Sequence, residues 1–185
     1  MLSGRRLDLL DPSPLDIEIE DIAHGLSREA RWNGQTAGAW AYSVAQHSVV
    51  VADLVVRLRP SASPAWRLAA LLHDAPEYVI GDLITPFKAA IGLDYRAFER
   101  KLHSVIHIRF GLAPAPSPTL EQLIKRADRA AAYWEAVELA GFTEDEASRI
   151  FRRPAGIGPL QLGPWSPEHA KQRFLERFDV LHGKE

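Results

Sequence analysis

Four residues in apolar helical segments carry side chains that bind divalent metal ions: His47, the pair His73-Asp74, and Asp128. His47 lies in SVAQHSVVVA, the pair follows AALL, and Asp128 lies in IKRADRAAAYWEA. A carboxylate among alanines is costly to bury unless a cation or a metal neutralises it. Two imidazoles and two carboxylates suit a divalent transition metal and leave positions open for water. Each part alone is weak evidence, but the combination predicts a metal site.

Two further carboxylates follow the histidine-aspartate pair. Glu77 comes three residues after Asp74 and four after His73, so it projects from the same side if the chain stays helical through Pro76. A carboxylate in that position can transfer a proton, or it can cap a helix that restarts after the proline. Asp82 follows a glycine, a pairing that by itself is typical of a turn.

The elements that must position these residues are helices. Apolar residues recur at helical spacing nearly everywhere in the chain, which predicts an all-α fold. The proline-rich stretch at 114–118 is an internal linker, but it is too short to separate domains. We expect one domain over 1–185, with the motifs in about 20–140 and C-terminal helices in 141–185. The predicted helices cover about 19–30, 40–60, 64–73, 94–110, 119–140, 143–151 and 166–181.

Composition excludes several functions. The chain has 185 residues, 46% of them hydrophobic, which is typical of a globular protein with a packed core. A net charge of -2 gives no overall positive field, so nucleic acid is not expected as a main partner. The absence of cysteine excludes disulfides and thiol catalysis. No secretory signal and no apolar run of membrane-spanning length occurs, so we expect a cytoplasmic protein with no membrane contact.

The ordered pattern of His47, His73-Asp74 and Asp128 resembles the H…HD…D signature of HD-domain metal-dependent phosphohydrolases. Within that superfamily, the run HDAPEYVIGDLITP and the upstream pair Arg31-Trp32 are most similar to the bacterial 5′-deoxynucleotidases. The resemblance covers roughly residues 20 to 140. It implies an HD-domain helical bundle, a homodimer, and hydrolysis of (deoxy)nucleoside 5′-monophosphates to nucleoside and phosphate by metal-activated water.

The resemblance also implies a role for each site residue. The four residues of the H…HD…D pattern would bind one divalent cation, which could be manganese, cobalt, iron, nickel, zinc or magnesium. Glu77 would assist proton transfer, and Asp82 would contact the sugar or the attacking water. Arg31 would bind the 5′-phosphate through its planar donor fork. The indole of Trp32 would crowd the 2′ position of the sugar; the alternative is an anchor of the first helix against the core.

Two more histidines raise the question of a second metal. His103 and His107 are four residues apart on a predicted helix and therefore share a face. Two-metal HD phosphodiesterases draw their extra histidines from separate segments, whereas these two lie on adjacent turns beside Lys101 and Arg109. That placement favours a mixed polar face over a second metal.

Two other functions remain open from the sequence. One is an HD-type hydrolase of cyclic or polyphosphorylated nucleotides. The other is a non-catalytic helical module in which the metal ligands only stabilise the bundle. The extra carboxylates and the cation favour an enzyme, because a purely structural metal site has no need of Glu77, Asp82 or Arg31.

Overall fold

A computed structural model describes residues 1–82 and 93–183. Within these residues the regular structure is helical, apart from one isolated bridge between Ala30 and Ser43, so the all-α prediction is confirmed. Short 3₁₀ helices occupy Pro14–Asp16 and Arg31–Gly34. The α-helices are α1 (Ile19–Leu26), α2 (Val44–Leu58), α3 (Pro64–Leu71), α4 (Glu77–Ile80), α5 (Leu93–Arg109), α6 (Pro118–Glu138), α7 (Glu144–Phe151) and α8 (Pro167–His182).

Side-chain caps fix where most of these helices begin. A serine or threonine accepts a hydrogen bond from a first-turn N–H at the start of α2, α3, α6, α7 and α8. Proline follows the cap in α3, α6 and α8, where its missing N–H costs nothing. Ser43 caps α2, so that helix begins at Val44 rather than near residue 40 as predicted.

The third helix ends earlier than predicted, before the histidine-aspartate pair. It stops at Leu71, and the chain then turns, with the Ala75 N–H bonded to the Leu72 carbonyl. Pro76 explains the break, because it has no N–H to donate and disfavours helical backbone in the residue before it. The helix restarts directly as α4.

Helix α2 lies at the centre of the fold. It packs against α3, α6 and α8, while α1 packs against α4 and α8, and α7 packs against α6. One hydrophobic cluster contains buried residues from both ends of the chain, from Ile17 to Phe178. No helix of the described residues has the length and apolar composition needed to cross a membrane. The predicted ligands thus lie on three segments, α2, the α3–α4 turn and α6, that pack around this centre.

Candidate metal centre

His47 is fully buried on α2, and both of its ring nitrogens face carboxylates. Nδ1 lies 2.6 Å from Glu135 Oε1, and because a carboxylate only accepts, Nδ1 carries a proton and donates it. Nε2 lies 3.2 Å from Asp128 Oδ1 and 3.5 Å from Asp74 Oδ2. Nε2 is therefore the nitrogen that faces the predicted ligands.

His73 presents the same nitrogen to the same place. Its Nδ1 donates to the Ala70 carbonyl at 2.9 Å, which leaves Nε2 3.1 Å from Asp74 Oδ2. The ring centroids of His47 and His73 are 5.2 Å apart. Neither Nε2 atom forms a hydrogen bond within the described part of the chain, although both are buried. Two buried imidazole nitrogens beside two carboxylates match the donor set that a divalent transition metal takes.

Side chains of three residues, His47, His73 and Asp128, have ligand atoms within 4.8 Å of one another. Among the described residues, no other group of three or more such side chains is this compact. Asp74 joins them through its contacts with both histidines. The predicted metal site is thus confirmed as a cluster that could bind a metal ion.

The carboxylates form the open side of the cluster. The Asp74 side chain is 23% exposed and that of Asp128 is 39% exposed, whereas His47 is inaccessible. Burial opposes charge on both carboxylates, but the neighbouring histidines outweigh it and hold the pKa of each below its ordinary value. Ligands from outside the protein can therefore approach past two ionised carboxylates.

The groups around His47 favour the protonated, positively charged form of its imidazole. Burial and Arg31 lower its pKa, but Glu135 and Asp128 outweigh them and raise the pKa of His47 to about 10. In the absence of metal, a proton therefore occupies the Nε2 position that faces the carboxylates. A divalent metal ion can replace that proton, because its larger positive charge attracts the same two carboxylates.

Glu135 is a site residue that the sequence analysis missed. It is fully buried on α6 and accepts hydrogen bonds from His47 Nδ1, from Arg31 Nε at 2.9 Å, and from Trp32 Nε1 at 2.9 Å. Burial raises its pKa, but Arg31 and His47 outweigh burial and bring the pKa of Glu135 down to about 2. A signal was present, since Glu135 lies seven residues after Asp128 and so shares its face of an apolar helix.

Arg31 lies at the edge of the cluster. Its Nη1 is 3.8 Å from Asp74 Oδ2, and its side chain is 13% exposed. Burial opposes its charge, but Glu135, Asp74 and Asp128 hold the pKa of Arg31 above its ordinary value. The arginine of the predicted Arg-Trp pair is thus a fixed cation beside the metal ligands.

Trp32 packs against two phenylalanines and shares Glu135 with His47. Its ring centroid lies 5.8 Å from that of Phe142 and 5.9 Å from that of Phe151, and its indole N–H donates to Glu135. It does not line the cavity beside the ligands, in the part of the chain described here. The indole therefore makes the packing contacts that the anchoring alternative predicts, and its contact with the sugar stays a prediction.

An unusual turn positions the side chains of Arg31 and Trp32 so that both donate to the carboxylate of Glu135. Trp32 and Asn33 have φ angles of 57° and 51°, in the left-handed region that non-glycine residues seldom adopt. The Asn33-Gly34 pair is typical of a turn, but nothing in the sequence indicates that Trp32 also adopts this conformation. Backbone strain of this kind persists where surrounding contacts enforce it, and here Glu135 supplies two of those contacts.

Of the two predicted catalytic carboxylates, Glu77 begins α4 and Asp82 follows its C-terminal end. Glu77 is buried as the first residue of α4, and it lines the same cavity as His73 and Asp74. The N–H of Asp82 donates to Glu29 Oε1 at 2.9 Å, and its charge contributes to the raised pKa of Arg31. The rest of the predicted motif, residues 83–86, lies outside the described residues.

A cavity of about 560 Å³ opens beside the cluster. His73, Asp74 and Glu77 line one part of it, and α5, α6 and the 114–116 segment line the rest. His103 and His107 also line it, and His107 is only 1% exposed. The prediction of a mixed polar face is therefore wrong for His107, because this side of α5 packs inward. Burial, with repulsion from His107 and His73, lowers the pKa of His103 to about 3.

Comparison with known proteins finds relatives without an assigned activity. No family model matches the chain. An uncharacterized protein of Rhodobacter capsulatus is 61% identical over 187 residues, which cover 98% of this chain and 93% of that protein. The uncharacterized protein YfdR of Escherichia coli is 32% identical over 166 residues, which cover 90% of this chain and 85% of YfdR.

Proposed function

This chain belongs to the family of YfdR and the Rhodobacter capsulatus protein, and we propose that it is a metal-dependent phosphohydrolase. Its substrates are (deoxy)nucleoside 5′-monophosphates, which it hydrolyses to nucleoside and phosphate. One observation carries the proposal: His47, His73, Asp74 and Asp128 converge beside Arg31, and two of them, His73 and Asp74, line a cavity.

The four converging residues would hold the metal. Nε2 of His47 and Nε2 of His73 supply neutral nitrogen ligands once His47 has lost its Nε2 proton, and Asp74 and Asp128 supply oxygen ligands. A divalent cation bound there neutralises phosphate charge and lowers the pKa of water. Glu135 and the Ala70 carbonyl fix the two imidazoles by accepting from Nδ1, as second-layer partners of metal-binding histidines do.

Arg31 binds and orients the phosphate in this proposal. Its Nε–H donates to Glu135, and its Nη1 extends towards Asp74. A guanidinium has five N–H donors, so it can hold Glu135 and a phosphate oxygen at the same time. Because Glu135 fixes it in advance, little ordering is left to occur when substrate binds.

Glu77 accepts the proton of the attacking water. It is buried on the same cavity as His73 and Asp74, and its N–H is bonded to the Asp74 carbonyl at 3.0 Å. That short turn ties the proton acceptor to a metal ligand. Water attacks phosphorus in line, the bond to the 5′ oxygen breaks, and the proton that Glu77 took from water passes to that oxygen, so the nucleoside leaves as an alcohol without a covalent intermediate.

The proposed substrates include both sugars. Trp32 packs against Phe142 and Phe151, and so gives no reason to restrict the substrate to deoxyribose. The preference between deoxyribonucleotides and ribonucleotides is therefore to be measured as the ratio of their hydrolysis rates.

Phosphate release tests the proposal. Matched deoxy- and ribonucleoside 5′-monophosphates are incubated with the protein and Mn²⁺ or Co²⁺, with a chelator as control. We expect release that the chelator abolishes and that Asp128→Asn lacks. Failure to release phosphate from any monophosphate would contradict the proposal. Release from cyclic or polyphosphorylated nucleotides alone would instead favour a different HD-type substrate.

A further inference from the structure

The cavity beside the metal ligands continues to a pair of histidines on α5 that the proposed hydrolysis does not use. The ring centroids of His103 and His107 are 4.1 Å apart, and both side chains line the cavity with Ile124 and the 114–116 segment. A volume of about 560 Å³ falls within the range of small-molecule sites. There is room here for more of a ligand than its phosphate.

His107 presents a buried acceptor in this part of the cavity. Its Nδ1 lies 2.9 Å from the Ala113 carbonyl, and because a carbonyl only accepts, the ring proton is on Nδ1. Nε2 therefore carries a lone pair. Within the described residues Nε2 has no hydrogen-bond partner, although His107 is only 1% exposed. A buried acceptor without a partner is uncommon and indicates a ligand or an ordered water.

A metal does not fit at these two histidines. In the part of the chain that the structure describes, the compact group of potential ligands is His47, His73 and Asp128, and neither His103 nor His107 joins it. An anion is not favoured at His107 either, because the lone pair on its Nε2 accepts a hydrogen bond and repels an acceptor. A neutral ligand with N–H or O–H donors matches the site best.

We propose that the nucleoside portion of the substrate occupies this half of the cavity and donates a hydrogen bond to His107 Nε2. The phosphate then lies at the other end, with Arg31 and the metal ligands. Ala69, Pro76 and Ile124 give the cavity apolar walls suited to a base or sugar. This inference rests on the proposed function, because it assigns the organic half of the same substrate.

Comparing two substrates in one variant tests the hydrogen bond. His107→Leu removes the acceptor, and p-nitrophenyl phosphate has no N–H or O–H donor on its organic half. We expect the KM for deoxyadenosine 5′-monophosphate to rise roughly threefold to tenfold, the loss of one neutral hydrogen bond. The KM for p-nitrophenyl phosphate should not change. His182→Leu is the matched control, because His182 stacks on Phe178 and does not line the cavity.

A second variant covers the case in which His107→Leu does not fold. Ala115 lines the cavity from an exposed position, so Ala115→Trp obstructs that half without replacing a core residue. It should also raise the KM for the nucleotide more than the KM for p-nitrophenyl phosphate. An unchanged nucleotide KM in both variants, or an equal rise for both substrates, would overturn the inference.

Binding of deoxyadenosine, which has no phosphate, separates this inference from the proposed function. Calorimetry should show saturable binding to the wild-type protein that weakens in His107→Leu and Ala115→Trp. If the wild type hydrolyses nothing but binds deoxyadenosine in this way, the proposed function fails and the nucleoside site stands. If deoxyadenosine does not bind, or binds all variants equally, the nucleoside site is wrong whatever the activity.

Discussion

At the scale of single residues, Glu135 controls the centre by fixing the orientation of His47 and Arg31 beside the metal ligands. It accepts from both of them and from Trp32, and it has no exposure to water. We expect Glu135→Gln to lower metal affinity roughly 10- to 100-fold, the usual result of losing a carboxylate behind a metal-binding histidine. Competition with a chromophoric chelator measures the affinity.

The control for that variant is Glu138→Gln, on the same helix. Glu138 accepts from the N–H groups of Leu160 and Leu162, so its loss should reduce stability without altering metal affinity. If both variants lost metal equally, the effect of Glu135 would be general unfolding rather than positioning.

Substitution of Glu77 distinguishes an enzyme from a helical bundle that the metal only stabilises. An amide cannot accept the proton of the attacking water, so Glu77→Gln should reduce kcat by roughly 10²- to 10⁴-fold. Metal content should stay the same, because Glu77 is not one of the four ligands. Phosphate release and elemental analysis of the same sample give both quantities. Glu176→Gln, at an exposed glutamate paired with Arg173, serves as the control.

Unchanged hydrolysis in Glu77→Gln with full metal content would remove Glu77 from the mechanism. It would leave Asp82, whose charge acts on Arg31, as the remaining candidate among the described carboxylates of the motif.

The sequence was enough to predict the metal ligands, but not the residue behind them that orients His47. The residue types and order of His47, His73, Asp74 and Asp128 were enough to predict a metal site, and the structure brings them together. Glu135 escaped because one glutamate on a long helix is ordinarily solvated, and only the packing of α2 against α6 shows what it meets.

At the scale of elements, the left-handed turn at Trp32–Asn33 should be measurable as strain. Asparagine tolerates this conformation better than alanine does, and glycine tolerates it best. We expect Asn33→Ala to lower the free energy of unfolding by about 1 kcal/mol, with Asn33→Gly neutral or slightly stabilising. Chemical denaturation of the three proteins measures the difference. An equal loss of unfolding free energy in both variants would mean that contacts of the Asn33 side chain, and not its backbone conformation, determine the stability.

Helix positions were predictable, whereas helix ends and this turn were not. Apolar spacing predicted each of the longer helices, because burial of one face determines that spacing. The start of α2 depended on the Ser43 cap, and the end of α3 depended on Pro76. Such boundaries are decided by one or two local hydrogen bonds, which periodicity does not detect.

At the scale of the whole molecule, the ligands tie together segments that are far apart in the chain. His47, the α3–α4 turn and Asp128 span more than 80 residues, so a bound metal stabilises the folded state over the unfolded chain. At a free metal concentration about 100 times Kd, linkage predicts a gain of about 2.7 kcal/mol. Thermal melts with Mn²⁺ or Co²⁺, with and without chelator, should show it as a higher Tm. Asp128→Asn should show a much smaller rise, and an equal rise would place the metal elsewhere.

The protonation of the metal-free centre gives the fold a pH dependence that metal binding should reverse. The pKa of His47 is raised from 6.5 to about 10, mainly because Glu135 and Asp128 outweigh burial and Arg31. A raised pKa stabilises the metal-free fold fully below about pH 6.5, and the contribution is lost as pH rises towards 10. Metal needs the same Nε2 without its proton, so metal affinity should increase with pH over this window.

Calorimetry in two buffers of different ionisation enthalpy counts the protons that metal binding releases. At pH 7.5 we expect about one proton per metal ion, because His47 is protonated in the free centre and both carboxylates are already ionised. Glu135→Gln removes one of the charges that raise the pKa of His47, so the variant should release fewer protons at the same pH. A heat of binding that does not depend on the buffer would mean that His47 Nε2 is neutral before metal arrives. The centre would then be preformed for metal, and Glu135 would act by orientation alone.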